Sequence, residues 1–125
     1  MNERGKLGRK GEAIAARYLE RKGYEIRERN YRCALGEIDL IATCEGYLVF
    51  VEVKSRTAGQ QVHPSVSVTP RKQAKVRQVG EHYRSHHPQY TEQPRFDVIS
   101  VQVAGSKHGA EKEAEETVEH LVNAF

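Results

Sequence analysis

Asp39, Glu52 and Lys54 are the residues whose types and spacing point to chemistry. Glu52 and Lys54 stand two apart in the apolar run 47–54, so on a β-strand both side chains leave the same face. Val49, Val51 and Val53 take the opposite face, the natural core side. A carboxylate and an ammonium at the end of a buried strand are costly unless paired or bound to a cation. Asp39 lies between Ile38 and Leu40, a second acid inside an apolar stretch. If the chain turns symmetrically about Glu45-Gly46, Asp39 and Glu52 become near cross-strand neighbours. Neighbouring carboxylates repel, and a divalent cation is the usual reason a protein keeps both. Oxygen ligands without a Cys/His cluster favour Mg²⁺ or Mn²⁺ over zinc. The same residues also admit a structural reading, an Asp39–Lys54 ion pair with Glu52 on an edge.

The elements around these residues follow from periodicity and turn chemistry. Leu7, Ile14, Ala15, Tyr18 and Leu19 recur at helical spacing before Gly23, a helix stop. Residues 24–32 alternate as a strand with one wet face, Leu35-Gly36 turns the chain, and 37–43 is rich in Ile and Leu. Glu45-Gly46 is a second tight turn, into the strand 47–54, so three strands form an antiparallel meander. Residues 55–68 read as a loop. Thr69-Pro70 caps and starts a helix that runs to about His86, with Val76, Val79 and Tyr83 on one stripe. A fourth strand is expected over 95–103. Val118, Leu121, Val122 and Phe125 are spaced as a short amphipathic helix. The expected order is α-β-β-β-α-β-(α), an α/β domain with a mixed sheet flanked by helices.

Composition limits the classes of function. A chain of 125 residues fits one domain, and burying roughly 65% of its unfolded surface supplies a core without staples. Its longest apolar run, 47–51, is far below the roughly 18 residues of a membrane helix. Residues 1–6 lead into no apolar segment, and the two cysteines, Cys33 and Cys44, read as reduced thiols. A cytoplasmic location is therefore expected. The net charge of +3 is uneven: 1–32 holds ten Lys/Arg against five Asp/Glu, and 69–95 holds six against two. Local basic blocks in a nearly neutral chain suit a phosphate backbone.

The order Gly36-Glu37-Ile38-Asp39, twelve intervening residues, then Glu52-Val53-Lys54 resembles the Asp…(Asp/Glu)-X-Lys core of the PD-(D/E)XK nuclease superfamily. Further segments carry the likeness along most of the chain: Gly11-Glu12, Gly23-Tyr24, Arg29-Asn30-Tyr31-Arg32, Val49-Phe50-Val51-Glu52-Val53-Lys54-Ser55-Arg56, Thr69-Pro70-Arg71-Lys72, Arg95-Phe96-Asp97 and Asn123-Ala124-Phe125. Together they resemble the YraN-like bacterial family, itself similar to Holliday-junction resolvases. That resemblance implies a restriction-endonuclease-like core and cleavage of phosphodiesters in branched or structured DNA, with Mg²⁺ or Mn²⁺. It also implies roles: Asp39, Glu52 and the Val53 carbonyl would hold the metal, and Lys54 would orient the attacking water or offset transition-state charge. Glu12 would be the helix acid serving a second metal; without the resemblance it is a helix-flank acid. Ile38 stands where the superfamily's name-giving proline would be, a departure that leaves the chemistry intact. A scaffold that kept the fold without catalysis, binding DNA alone, is the alternative from another class.

Candidate phosphate contacts surround this centre. Lys10, Arg17 and Arg21 share a face of the first helix, and Arg71, Lys75, Gln78 and His82 form a stripe on the later one. Arg29, Arg32, Arg56 and Lys72 fall near element ends. Such residues fix register on a backbone without reading bases. No zinc finger, RNA-binding sheet motif or basic zipper is present, so DNA shape fits better than base sequence. Glu37 is expected to support the turn, Asp97 to pair with a nearby Arg or Lys, and His63, His82, His86 and His87 to lie on the surface. Tyr24, Tyr31, Tyr47 and Phe96 are expected in the core. Junction cleavage uses two sites, so a homodimer through 118–125 or a sheet edge is an expectation too.

Overall fold

The computed structural model describes residues 3–57, 68–103 and 116–125, and the expected loop over 58–67, His63 with it, falls outside that set. Helix α1 (Glu3–Arg21) is followed by strands β1 (Glu25–Cys33), β2 (Gly36–Cys44) and β3 (Tyr47–Thr57). Helix α2 (Pro70–His86), β4 (Gln93–Val103) and β5 (Thr117–Leu121) complete the chain. The sheet order is β1-β2-β3-β4-β5, antiparallel except for the parallel β3–β4 pair that α2 connects. This is the expected α/β architecture, with one helix on each face of a mixed sheet.

Local chemistry explains the boundaries. Glu45 and Gly46 both have positive φ, 47° and 86°, as a two-residue hairpin with right-handed strand twist requires. Cys44 faces Tyr47 across this turn, which sets the register anticipated from sequence. Thr69 caps α2, its Oγ1 accepting from the Lys72 N–H at 3.2 Å, and Pro70 occupies the first turn.

Strand β3 is core on both sides, not on one. Val49 and Val51 pack with Ile14, Ala15, Ala16 and Leu19 of α1, whereas Leu48 and Phe50 pack with Val76, Val79 and Tyr83 of α2. Covering both faces is what a central strand next to a parallel neighbour requires. Glu52 and Lys54 therefore sit on the α2 side. Strand β3 also runs through Thr57, three residues into the expected loop.

The expected C-terminal helix is a strand. Thr117 and Val118 favour extended backbone, and the free edge of β4 gives them a ladder from Val98 to Gln102. Helical spacing of 118, 121, 122 and 125 was coincidental, because these residues share no face. Val118 packs against the α1-side core, Phe125 stacks on Phe96 at 5.5 Å, and Val122 is 53% exposed.

A satisfied charge network ties β4 to β5 and to the start of β1. The buried Asp97 carboxylate receives a bidentate pair from Arg95 (Nε 3.0 Å, Nη2 2.8 Å), the Asn123 N–H (2.9 Å) and His120 Nε2 (2.7 Å). Arg95 also donates to the Tyr24 hydroxyl at 2.7 Å. Burial pushes the Asp97 carboxyl up, but these donors outweigh it and hold the group below its ordinary value. The expected structural pair is present. Tyr47, by contrast, is 39% exposed and lies beneath the Arg95 guanidinium instead of in the core.

Helix α1 lies close against β3 at Gly11, where a side chain would place its Cβ 2.8 Å from Ser55 Cβ and closer still to the hydroxyl. Gly11→Ala is expected to cost about 1–3 kcal/mol in chemical denaturation and Ser55→Gly to restore most of it. Unchanged stability in Gly11→Ala would rule out this contact as the constraint that sets the helix.

Candidate active site

The β2–β3 ladder runs from Cys44–Tyr47 to Leu40–Val51 and stops there, one pair before Asp39 would meet Glu52. At that point Asp39 Oδ2 accepts the Val53 N–H at 2.8 Å, so a side chain replaces the neighbouring main chain as acceptor. Alternation breaks in β2 as well. Ile38 and Ile41, three residues apart, both pack on the α2 side, while Leu40 packs toward α1. Across β1, Asn30 adopts a left-handed φ of 54° within the segment between the pairs Arg29–Leu40 and Tyr31–Ile38. Asparagine tolerates that conformation better than most residues. The sheet therefore forks at Asp39.

Acids from three elements meet at this fork. Glu12, from α1, lies near the Asn30 and Asp39 side chains, both of which favour its charged form. Glu52, 6% exposed, comes from the α2 side of β3 and Glu37 from the start of β2. Burial pushes the Asp39 carboxyl up to about 7, and the Glu52 carboxylate adds to this; the Val53 N–H opposes it, and Glu12 and Glu37 raise it further. Burial likewise raises Glu12, and Glu37 and Glu52 add to the effect, while the Asn30 and Asp39 side chains oppose it. Asp39 and Asp97 are the same residue type with opposite outcomes. One is crowded by like charge, the other satisfied by donors.

Cations meet the acids from the α2 side. Lys72 Nζ lies 3.1 Å from Glu52 Oε2, and Lys54 Nζ lies 3.9 Å from the same oxygen. The Asp39–Lys54 pair allowed by the structural reading does not form, and Glu52 is central rather than at an edge. Next to these groups a cavity of about 190 Å³ is lined by Gly36, Glu37, Lys72, Lys75, Val76 and Val79.

As the side chains stand, no three His, Cys, Asp or Glu residues among the described residues are arranged to hold a metal ion. The donor set nevertheless fits a hard divalent cation in charge and type. Glu12, Asp39, Glu52 and the Val53 carbonyl are all oxygen donors. Burial is the larger cause of the raised Asp39 carboxyl; the part added by Glu52, Glu12 and Glu37 is like charge that such an ion would relieve.

Residues 11–101 match the profile described as "Uncharacterised protein family UPF0102". This chain belongs to that family. The UPF0102 protein of Caldanaerobacter subterraneus subsp. tengcongensis is 46% identical over 121 residues, covering 95% of this chain and 93% of that protein. Those of Geobacter metallireducens and Chlorobaculum parvum are 41% and 44% identical over 119 residues, covering 95% of this chain and 91% of each. The matched UPF0102 region takes in Glu12, Asp39, Glu52, Lys54 and Lys72 and leaves out β5.

In this UPF0102 chain the remaining expected contacts divide. Lys10 and Arg17 are exposed on α1, Arg29 and Arg32 on β1, and Arg71, Lys72 and Lys75 on α2. They lie on different layers, and Arg32 is engaged by Glu37 at 3.0 Å. Arg56 differs from these in being buried, 9% exposed. His82 and His87 are also not free on the surface. His82 Nδ1 pairs with the Tyr31 hydroxyl at 2.9 Å, and His87 stacks on Tyr83 at 3.8 Å. Asn30 was missed as a site residue; its presence in a strand, where asparagine is disfavoured, was the available signal. No helix of the described residues is long and apolar enough to cross a membrane.

Between about pH 4 and 7 the folded chain holds a proton on Asp39 that the unfolded chain has released, so stability falls as pH rises through that window. Asp39→Asn keeps an acceptor for the Val53 N–H and abolishes this fall. Urea denaturation at pH 8 should find the variant more stable than wild type by roughly 1–3 kcal/mol. A less stable variant at pH 8 would contradict the crowding described here.

Proposed function

We propose that this chain is a divalent-metal-dependent endonuclease with a restriction-endonuclease-like core, acting on phosphodiesters in structured or branched DNA. The observation that carries this reading is the half-buried Asp39, held at a sheet fork among Glu12, Glu37 and Glu52 with its carboxyl raised to about 7. A fold that needed only stability would gain by replacing one of these acids. The order of Asp39, Glu52, Val53 and Lys54 along the chain, and the helix acid Glu12, match the PD-(D/E)XK pattern. Branched DNA is favoured by that pattern's similarity to junction resolvases and by cations on several layers instead of one base-reading element.

Within this reading, Asp39, Glu52, the Val53 carbonyl and Glu12 would hold Mg²⁺ or Mn²⁺, which when bound would polarise the scissile phosphate and lower the pKa of water. To serve as a ligand, Asp39 would have to be in its charged form. The Lys54 ammonium, with a side chain 26% exposed, stabilises charge developing on the phosphoryl oxygens. Lys72 and Lys75, beside the cavity at the start of β2, position the backbone. The Val53 N–H keeps Asp39 oriented.

One observation favours a non-catalytic DNA-binding module instead. Glu52 already has its charge met by Lys72 at 3.1 Å, without a metal. Labelled linear, flap and four-way DNA incubated with Mg²⁺, Mn²⁺ or EDTA separates the two. Metal-dependent cleavage of branched substrates is expected, falling by about 10²-fold or more in Asp39→Ala and Lys54→Ala with the circular dichroism spectrum retained. Binding that is equal with and without EDTA, with no cleavage of any substrate, would establish the module. Cleavage unchanged in both variants would remove these residues from the site.

A further inference from the structure

Arg56 closes the run Glu52, Lys54, Arg56, whose alternate positions place all three side chains on the α2 face of β3. It is 9% exposed, and its Nε is buried without a hydrogen-bond partner. Among the described residues its guanidinium enters no ion pair. Arg84 offers the contrast: its Nε is also buried, but its Nη1 holds Glu81 at 2.9 Å. A guanidinium does not deprotonate at accessible pH, so Arg56 cannot escape the cost of burial by becoming neutral. An unpaired buried charge is destabilising, and the usual compensation is an anion. The described residues supply none.

We propose that Arg56 is the receptor for a phosphate oxyanion of a bound nucleic-acid strand, the phosphate next to the one that Lys54 serves. Two residues of strand rise about 6.7 Å, close to the separation of successive phosphates along one strand. The planar fork of Arg56 can donate to two phosphate oxygens at once, in a way that a flexible surface lysine does not. This assignment rests on reading the neighbouring acids as a phosphodiester site. It differs from the exposed contacts in one respect: the unliganded protein carries the desolvation cost of Arg56, and the ligand relieves it. Arg56 is thus a positioning residue whose removal helps the empty fold and harms the bound one.

Thermal unfolding of the full chain in EDTA, with sodium phosphate compared against sodium chloride at equal ionic strength, tests this directly. At phosphate concentrations about ten times its Kd, the wild-type Tm should rise by about 4 °C relative to chloride. Arg56→Met should unfold at or above the wild-type temperature in chloride and show no phosphate-specific rise. A rise that persists in Arg56→Met, no rise in wild type, or a lower Tm of Arg56→Met in chloride would each overturn the proposal. The Arg56 Nε–H resonance of wild-type protein, assigned by its absence from Arg56→Lys, should move on adding phosphate. A stationary resonance overturns the proposal even if Arg56→Met fails to fold. A short single-stranded oligodeoxynucleotide should produce the same Arg56-dependent rise at lower concentration than inorganic phosphate, and the reverse order would overturn the strand as the source. No hydrolysis occurs in EDTA, so this result and the cleavage result fail separately.

Discussion

The hydrogen bond from the Val53 N–H to Asp39 Oδ2, at 2.8 Å, is the contact around which the rest is arranged. By taking a main-chain donor of β3, Asp39 ends the β2–β3 ladder and becomes fixed between the two strands. A carboxylate so placed is held among its neighbours by that bond. Glu12 and Glu52 then reach it from opposite faces of the sheet, one beside α1 and the other beside α2. Burial and like charge raise its proton affinity, while one N–H resists. The fold thus holds an electrostatic tension at a defined place, and positive charge is what relieves it.

Both helices take part in holding that tension. Helix α1 lies against Ser55 through Gly11, which sets Glu12 beside Asp39. Helix α2 starts at a Thr69 cap that bonds the Lys72 N–H, and the Lys72 side chain meets Glu52. Elsewhere the chain shows what a stabilising buried acid looks like: Asp97 is fully enclosed and receives donors from Arg95, His120 and Asn123. Stability is supplied by that network and by two apolar layers, so crowding is confined to the fork. Local disagreement with otherwise consistent rules is a mark of a functional site.

Much of the geometry was legible in the amino acids. The Glu45-Gly46 turn fixed the register that brings Asp39 to Glu52, because a two-residue hairpin leaves little choice of pairing. Thr69-Pro70 marked the start of α2 for an equally local reason. What escaped was long-range. The segment 117–121 becomes a strand because β4 has an open edge, which no window on that segment reveals. Arg56 resembled any arginine near a strand end, and only the packed fold shows it buried. The left-handed Asn30 and the broken alternation at Asp39 arise together, as a property of the paired strands rather than of either one.

The measurement that bears most directly on this account is the titration of the Asp39 side-chain carboxyl by carbon-13 NMR in metal-free protein, repeated with Mg²⁺. The account predicts a midpoint near 7 without metal, moving to lower pH when Mg²⁺ is added. A metal-free midpoint near the ordinary carboxylate value of about 3.9, unmoved by Mg²⁺, would contradict it.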